Sequence, residues 1–153
     1  MKKLLSKFSP NKGFTLIELL IVITIISALA IAVFVALNPA KRVKDANNAR
    51  RAADADTILT AIHASIVDNN GELPTGITSP MAETQLGTGN ATQCGNLTGN
   101  CTVGNIACVN PTLTGYLASL PIDPDTSTWG STNTGYTVSV ANDIVTIKSC
   151  GAQ

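Results

Sequence analysis

The stretch G13-FTLIELLIVITII-26 decides the reading of this chain, because Glu18 is a carboxylate set five residues into an apolar run that continues to Leu37 without another charge. Phe14–Leu37 is 24 residues, about 36 Å long as a helix at ~1.5 Å per residue. A hydrocarbon layer is roughly 30 Å thick, so the run can cross it with some tilt. An ionisable side chain inside such a segment marks a functional site by default. Glu18 therefore calls for a partner, and the candidate partner is a second copy of the chain.

Four basic residues, Lys2, Lys3, Lys7 and Lys12, precede the run. The whole chain has ten basic and ten acidic residues. Without residues 1–13 six basic residues remain against ten acidic ones, which argues against general affinity for nucleic acid. The segment differs from an ordinary secretory signal, in which a shorter apolar region is followed by a small-residue cleavage site. Here the small residue, Gly13, comes first, so a cut after it leaves the apolar run on the mature chain. Charge counting does not orient the segment, since Lys41, Arg42, Lys44, Arg50 and Arg51 follow it as closely as the four lysines precede it. The four cysteines, Cys94, Cys101, Cys108 and Cys150, all lie in the polar remainder. An even count in a small domain fits disulfides in an exported compartment, and this places the C-terminal domain outside.

The residues KGFTLIELLIVITIISALA, with the short basic leader, Gly13, Phe14, Thr15-Leu16 and then Glu18, resemble the N-terminus of a type IV pilin or type II secretion pseudopilin precursor. The resemblance is strong over residues 1–37, fair to about Asn70, and a matter of layout beyond. It implies cleavage between Gly13 and Phe14 by a membrane prepilin peptidase, and N-methylation of Phe14 by the same enzyme. It also implies an α+β fold, a lollipop in which a long N-terminal transmembrane helix packs its outer half on a small antiparallel sheet. The domains expected are a leader (1–13, removed), a transmembrane and polymerisation helix (14–39), an amphipathic second half of the helix (40–70), and a globular region of loops and sheet (71–153).

Cleavage moves Glu18 to within about 1.5 turns of a new, positively charged amino terminus. Pairing Glu18 of one subunit with the Phe14 amine of a neighbour relieves two unpaired buried charges and sets axial register, as a buried polar residue does in a coiled coil. The alternative is that Glu18 snorkels to the headgroups. Asn38-Pro39 follows the run, and Pro39 is expected to bend or locally melt the helix; a plain end to the membrane helix is the other reading.

Residues 40–69 resume helical periodicity, with Val43, Ala46, Ala49, Ala53, Ile58, Ile62 and Ile66 as the expected packing stripe and Leu59 and Val67 widening it. Asn70-Gly71 is a stop signal. The basic cluster Lys41–Arg51 is interspersed with Asp45, Asp54 and Asp56 and holds no aromatic residue, so it reads as a solvated or intersubunit face rather than a DNA site. His63 reads as a packing residue at the edge of the stripe.

From Gly71 to Asn110 the chain reads as loop with short strands such as 106–109. The evenly spaced Cys94, Cys101 and Cys108 form no CxxC pair and have no nearby histidine, which speaks against zinc. Four cysteines allow three pairings. In related pilins a disulfide often closes a C-terminal loop, which implies a bond from Cys150 to one of the others; the pairing expected is Cys94–Cys101 with Cys108–Cys150. Leu120-Pro121, Asp123 and Pro124 resemble the loop before the last strands of major pseudopilins, where calcium is often held. Asp123 and Asp125 are the candidate oxygen ligands, against the reading of two proline-fixed turns with solvated aspartates. No other cofactor is expected. Tyr136–Ala141 and Ile144–Ser149 flank Asn142-Asp143 as a hairpin, with Val140 opposite Val145 and Val138 opposite Ile147 on an apolar face that should meet Ile58, Ile62 and Ile66.

No catalytic set is visible, so an enzyme is not expected. The expectation is a structural subunit of a pilus-like cell-surface fibre, with a pseudopilin or a minor tip or priming pilin as the alternative. Its partners would be other copies of itself, the peptidase, the assembly platform and the membrane; nucleic acid is not expected among them. It would cross the cytoplasmic membrane once, then join an extracellular or periplasm-spanning fibre. The Cys150 loop leans toward a pilus subunit, the LPIDP stretch toward a pseudopilus.

Overall fold

A computed structural model describes residues 13–94, 100–101 and 107–152. Residues 1–12 of the leader, 95–99, 102–106 (the last of which begins the expected strand 106–109) and 153 lie outside the described residues. The chain is α+β and divides into two compact units, residues 1–42 and 43–153, each taken by itself below.

The first unit is built on α1 (Leu16–Leu37), a 22-residue helix with no buried residue, about 33 Å long at about 1.5 Å per residue. Its hydroxyls do not interrupt it. Thr24 Oγ1 donates to the Ile21 carbonyl and Ser27 Oγ to the Ile23 carbonyl, both at 2.7 Å. The helix ends at Asn38, which adopts a left-handed conformation (φ 41°, ψ 71°). Asn tolerates that region better than most residues. Pro39 then opens α2 (Pro39–Asp68), the first helical position, where its missing N–H costs nothing. The break is thus made by Asn38, with Pro39 beginning the next helix.

In the second unit α2 buries Arg51, Ile58, Ala61, Ile62 and Ser65, with Asn47, Asn48, Asp54 and Ala55 half-buried on the same side. This corrects the expected stripe. Ile58, Ile62 and Ile66 belong to the core, but Val43, Ala46, Ala49, Ala53 and Val67 are exposed. Hydrophobicity misled because the inward positions in the first half of the face are polar and meet polar partners. His63 is exposed as well, not packed. Asn70 (φ 57°) and Gly71 (φ 96°) close the helix, and the Gly71 N–H reaches back to the Ile66 carbonyl at 2.8 Å, satisfying an orphan carbonyl.

The sheet is antiparallel with order β1-β2-β3: β1 (Met81–Gln85), β2 (Tyr136–Ala141) and β3 (Ile144–Ser149). β2 and β3 pair in the expected register, Val140 with Val145 and Val138 with Ile147. Asn142 and Asp143 both have positive φ, 51° and 62°, as a primed two-residue turn demands. β1 was not expected from sequence, because MAETQ has little apolar alternation. It pairs with β2 through a register shift between Met81 and Thr84, a bulge. Tyr136, Val138, Val140 and Val145 pack with Ile58, Ile62, Leu86 and Leu113 in one core. Fully burying each isoleucine is worth about 1.5–3 kcal/mol. On the opposite face Glu83 accepts from Thr137 Oγ1 (2.9 Å) and from Lys148 Nζ (3.1 Å). α3 (Ala91–Cys94) is a single turn.

Candidate functional site

The N-terminal segment presents its cleavage candidate openly. Gly13 has no atom within 4 Å of where a Cβ would stand, Phe14 is 88 % exposed, and residues 13–15 form no regular structure. Thr15 is the N-cap of α1, with Glu18 at the third helical position, and the two close a capping box. The Glu18 N–H donates to Thr15 Oγ1 at 3.2 Å. In return Glu18 Oε2 accepts from the Thr15 N–H at 2.8 Å and from Thr15 Oγ1 at 2.9 Å. The carboxylate is therefore aimed at the amino end of α1, beside residue 14. Only one of its oxygens is used, so Oε1 keeps its acceptor capacity among the described residues. Behind it, the large aliphatic side chains of α1 are exposed. The helix is long and apolar enough to cross a membrane.

A family model, the prokaryotic N-terminal methylation motif, matches residues 8–34. Residues 8–34 thus carry the N-terminal methylation motif of type IV pilin-like precursors. No curated protein and no solved structure matches the chain. The motif covers the leader end, Gly13, Phe14, Glu18 and most of α1; the rest of the chain is read from its own structure.

There the structure brings together residues that sequence reasoning kept apart. Arg51, expected on a solvated or intersubunit face, is buried with Asp123 in an ion pair whose side chains are 6 % and 0 % exposed. Its Nε donates to Asp123 Oδ2 at 2.7 Å and its Nη2 to Oδ1 at 2.8 Å, the two-pronged geometry in which Arg binds a carboxylate best. Nη1 donates to Asn48 Oδ1 at 3.0 Å. Asp123 Oδ1 also accepts from the Asp125 N–H at 2.9 Å. Hydrogen bonding to Asp123 holds the Arg51 guanidinium even more firmly protonated than usual. One turn along α2, Asp54 accepts from Tyr136 Oη at 2.9 Å. Burial first, then that bond, raises the Tyr136 phenol above its ordinary range.

The two calcium candidates accordingly hold other partners. Both oxygens of Asp123 face Arg51. Asp125 is half-buried and folds back on its own turn, accepting from Ser127 Oγ and Thr128 Oγ1, bonds that lower its carboxyl below the ordinary value. Among the described residues no three His, Cys, Asp or Glu side chains are grouped so as to hold a metal ion.

The cysteines pair as Cys94–Cys108 and Cys101–Cys150. This corrects the expected Cys94–Cys101 and Cys108–Cys150, while Cys150 does close the C-terminal end. The Cys108 N–H donates to the Gly89 carbonyl at 3.1 Å, which returns Cys108 to α3 and Cys94. The Asn100 N–H donates to the Cys150 carbonyl at 3.0 Å, which delivers Cys101 to the end of β3. The two loops interlock in sequence. In the chain-entropy account, cross-links of 14 and 49 residues' separation stabilise by about 3 and about 4 kcal/mol.

A cleft of about 460 Å³ opens beside this region, lined among others by Asn110, Leu113, Leu117, Ser119 and Thr134. Among the described residues no charged side chain lines it. Arg51 is the residue that sequence reasoning missed. Its signal was present: a second arginine directly after Arg50, in phase with Ile58 and Ile62 on the inward face.

Proposed function

We propose that this chain is a structural subunit that polymerises through its N-terminal helix into a pilus-like surface fibre once residues 1–13 have been removed. The observation that carries the reading is Glu18. A carboxylate within an apolar membrane segment marks a functional site by default, and this one stands in the first turn of a helix with no buried residue. It is also turned toward the end at which cleavage after Gly13 creates an amine. The exposed Gly13–Phe14 bond suits a membrane prepilin peptidase, and the freed Phe14 is the amine for methylation. In the assembled fibre the Phe14 amine of a neighbouring subunit donates to Glu18, with Oε1 as the free acceptor, and the apolar face of α1 exchanges lipid for other copies of α1. Before assembly the chain crosses the cytoplasmic membrane once with the disulfide-bonded domain outside, where an assembly platform in the membrane takes it up.

A pseudopilus subunit is the second reading, favoured by the sequence Leu120–Asp125. The Arg51–Asp123 pair supports the pilus reading instead, since it occupies the carboxylate that a calcium loop needs. Co-expression with a prepilin peptidase tests the processing step: the mature chain should begin at Phe14 and be heavier by one methyl group. Glu18→Val should then leave the chain cleaved and membrane-inserted but abolish fibres. Normal fibre yield from that variant would remove Glu18 from assembly.

A further inference from the structure

The buried ion pair has a cover, and the cover is tied down by a disulfide. The end of β3 lies directly over Arg51 and Asp123. A Cβ on Gly151 would stand 2.8 Å from Asp123 Oδ2 and 2.9 Å from Arg51 Nη2, so the backbone itself lies against the pair and a side chain here would have to displace the fork. Ser149 Oγ approaches Asp123 Oδ2 at 3.5 Å. The Cys150 N–H donates to the Gly135 carbonyl at 2.9 Å, and Gly135 in turn rests on the Asp123 side chain. What keeps this strand end in place from the other side is the bond from Cys150 to Cys101. Past Gly151, Asn100 Nδ2, next to Cys101, donates to the Ala152 carbonyl at 2.8 Å.

Enclosure strengthens the hydrogen bonds of an ion pair, and the desolvation it costs is offset only where the geometry is good and the bonds are complete. We propose that the Cys101–Cys150 disulfide is the latch of the Arg51–Asp123 pair, so that the domain reaches its closed state only after these two thiols meet a disulfide oxidant. The chemistry is thiol–disulfide exchange. The Cys150 thiolate attacks the oxidant's disulfide and releases one of its thiolates. The Cys101 thiolate then displaces the other. Two electrons pass to the oxidant, which leaves as a dithiol, and the two cysteine protons end on its sulfurs. Closing the latch draws Gly151 over the guanidinium–carboxylate fork and completes its enclosure. In a reducing compartment the strand end is free and the pair stays open to water, so locking is coupled to arrival in an oxidising compartment.

The test is amide hydrogen exchange on the full chain in detergent, read at Asp125, whose N–H donates to Asp123 Oδ1, and at Asp123, whose N–H donates to the Thr134 carbonyl. C101A/C150A should accelerate both by about tenfold or more, as a local opening does. C94A/C108A, which removes the other disulfide, should leave them within about threefold. Equal effects from the two variants overturn the latch. A second measurement keeps the test open should C101A/C150A unfold. Coupling is reciprocal, so R51M/D123L should make the Cys101–Cys150 bond about tenfold easier to reduce in a dithiothreitol titration followed by thiol-specific mass tagging. Identical reduction midpoints in the wild type and R51M/D123L overturn the proposal.

Discussion

Replacing Arg51 by methionine removes a cation of which 6 % is exposed from a carboxylate of which none is. The methionine stem fills most of the same volume, so the loss is electrostatic. Asp123 keeps the Asp125 N–H and the distant Ser149 hydroxyl but loses both short bonds from the guanidinium. Breaking one side of a buried pair costs about 3–5 kcal/mol, because the other charge stays in a medium that solvates it poorly. For a unit of residues 43–153, with an unfolding entropy of about 2.1 cal/mol/K per residue, this lowers the melting temperature by about 13–22 °C. Trp129 is the assay. It is the single tryptophan, it is buried, and it lies against Gly135 as Asp123 does, so its fluorescence follows this region without interference from α1 in detergent. R51M/D123L removes both charges and should recover most of the loss, since well-packed apolar replacements of buried pairs are often neutral. A melting temperature for R51M within about 4 °C of wild type, or a double variant no better than the single one, refutes the reasoning.

Gly151→Ala places a methyl group against the fork with the disulfide intact, and should lower the Trp129 melting temperature while thiol counting still finds no free cysteine. The raised Tyr136 phenol predicts an alkaline limit. The folded state keeps this proton when the unfolded chain has begun to lose it, so stability is full below about pH 10 and falls as pH rises beyond it. Tyr136→Phe should flatten that fall, as read by urea unfolding between pH 8 and pH 11, and should cost about 0.5–1.5 kcal/mol at neutral pH through the lost bond to Asp54. Calcium should leave the melting temperature unchanged, because Asp123 is already paired with Arg51; a rise saturating with calcium and reversed by chelator would show that the loop opens to take the ion.

What the sequence by itself determined was local. The apolar run and its glutamate mark α1 and its reactive end, because length, hydropathy and the Thr15–Glu18 spacing act within a few residues. Asn38-Pro39 and Asn70-Gly71 punctuate the helices through their own backbone preferences, and Asn142-Asp143 sets the hairpin register, which then follows strand by strand. The tertiary structure decided whatever depended on a distant partner. Arg51 looks like any surface arginine until Asp123, 72 residues on, turns its position inward, and the helix face turns with it. β1 is a strand because β2 offers it hydrogen bonds, not because MAETQ prefers to be one. The cysteines choose among three pairings by where α3 and the end of β3 deliver them, and spacing carries no record of that. Local patterns are encoded by neighbours in the chain, whereas a buried charge or a cross-link is encoded by neighbours in space.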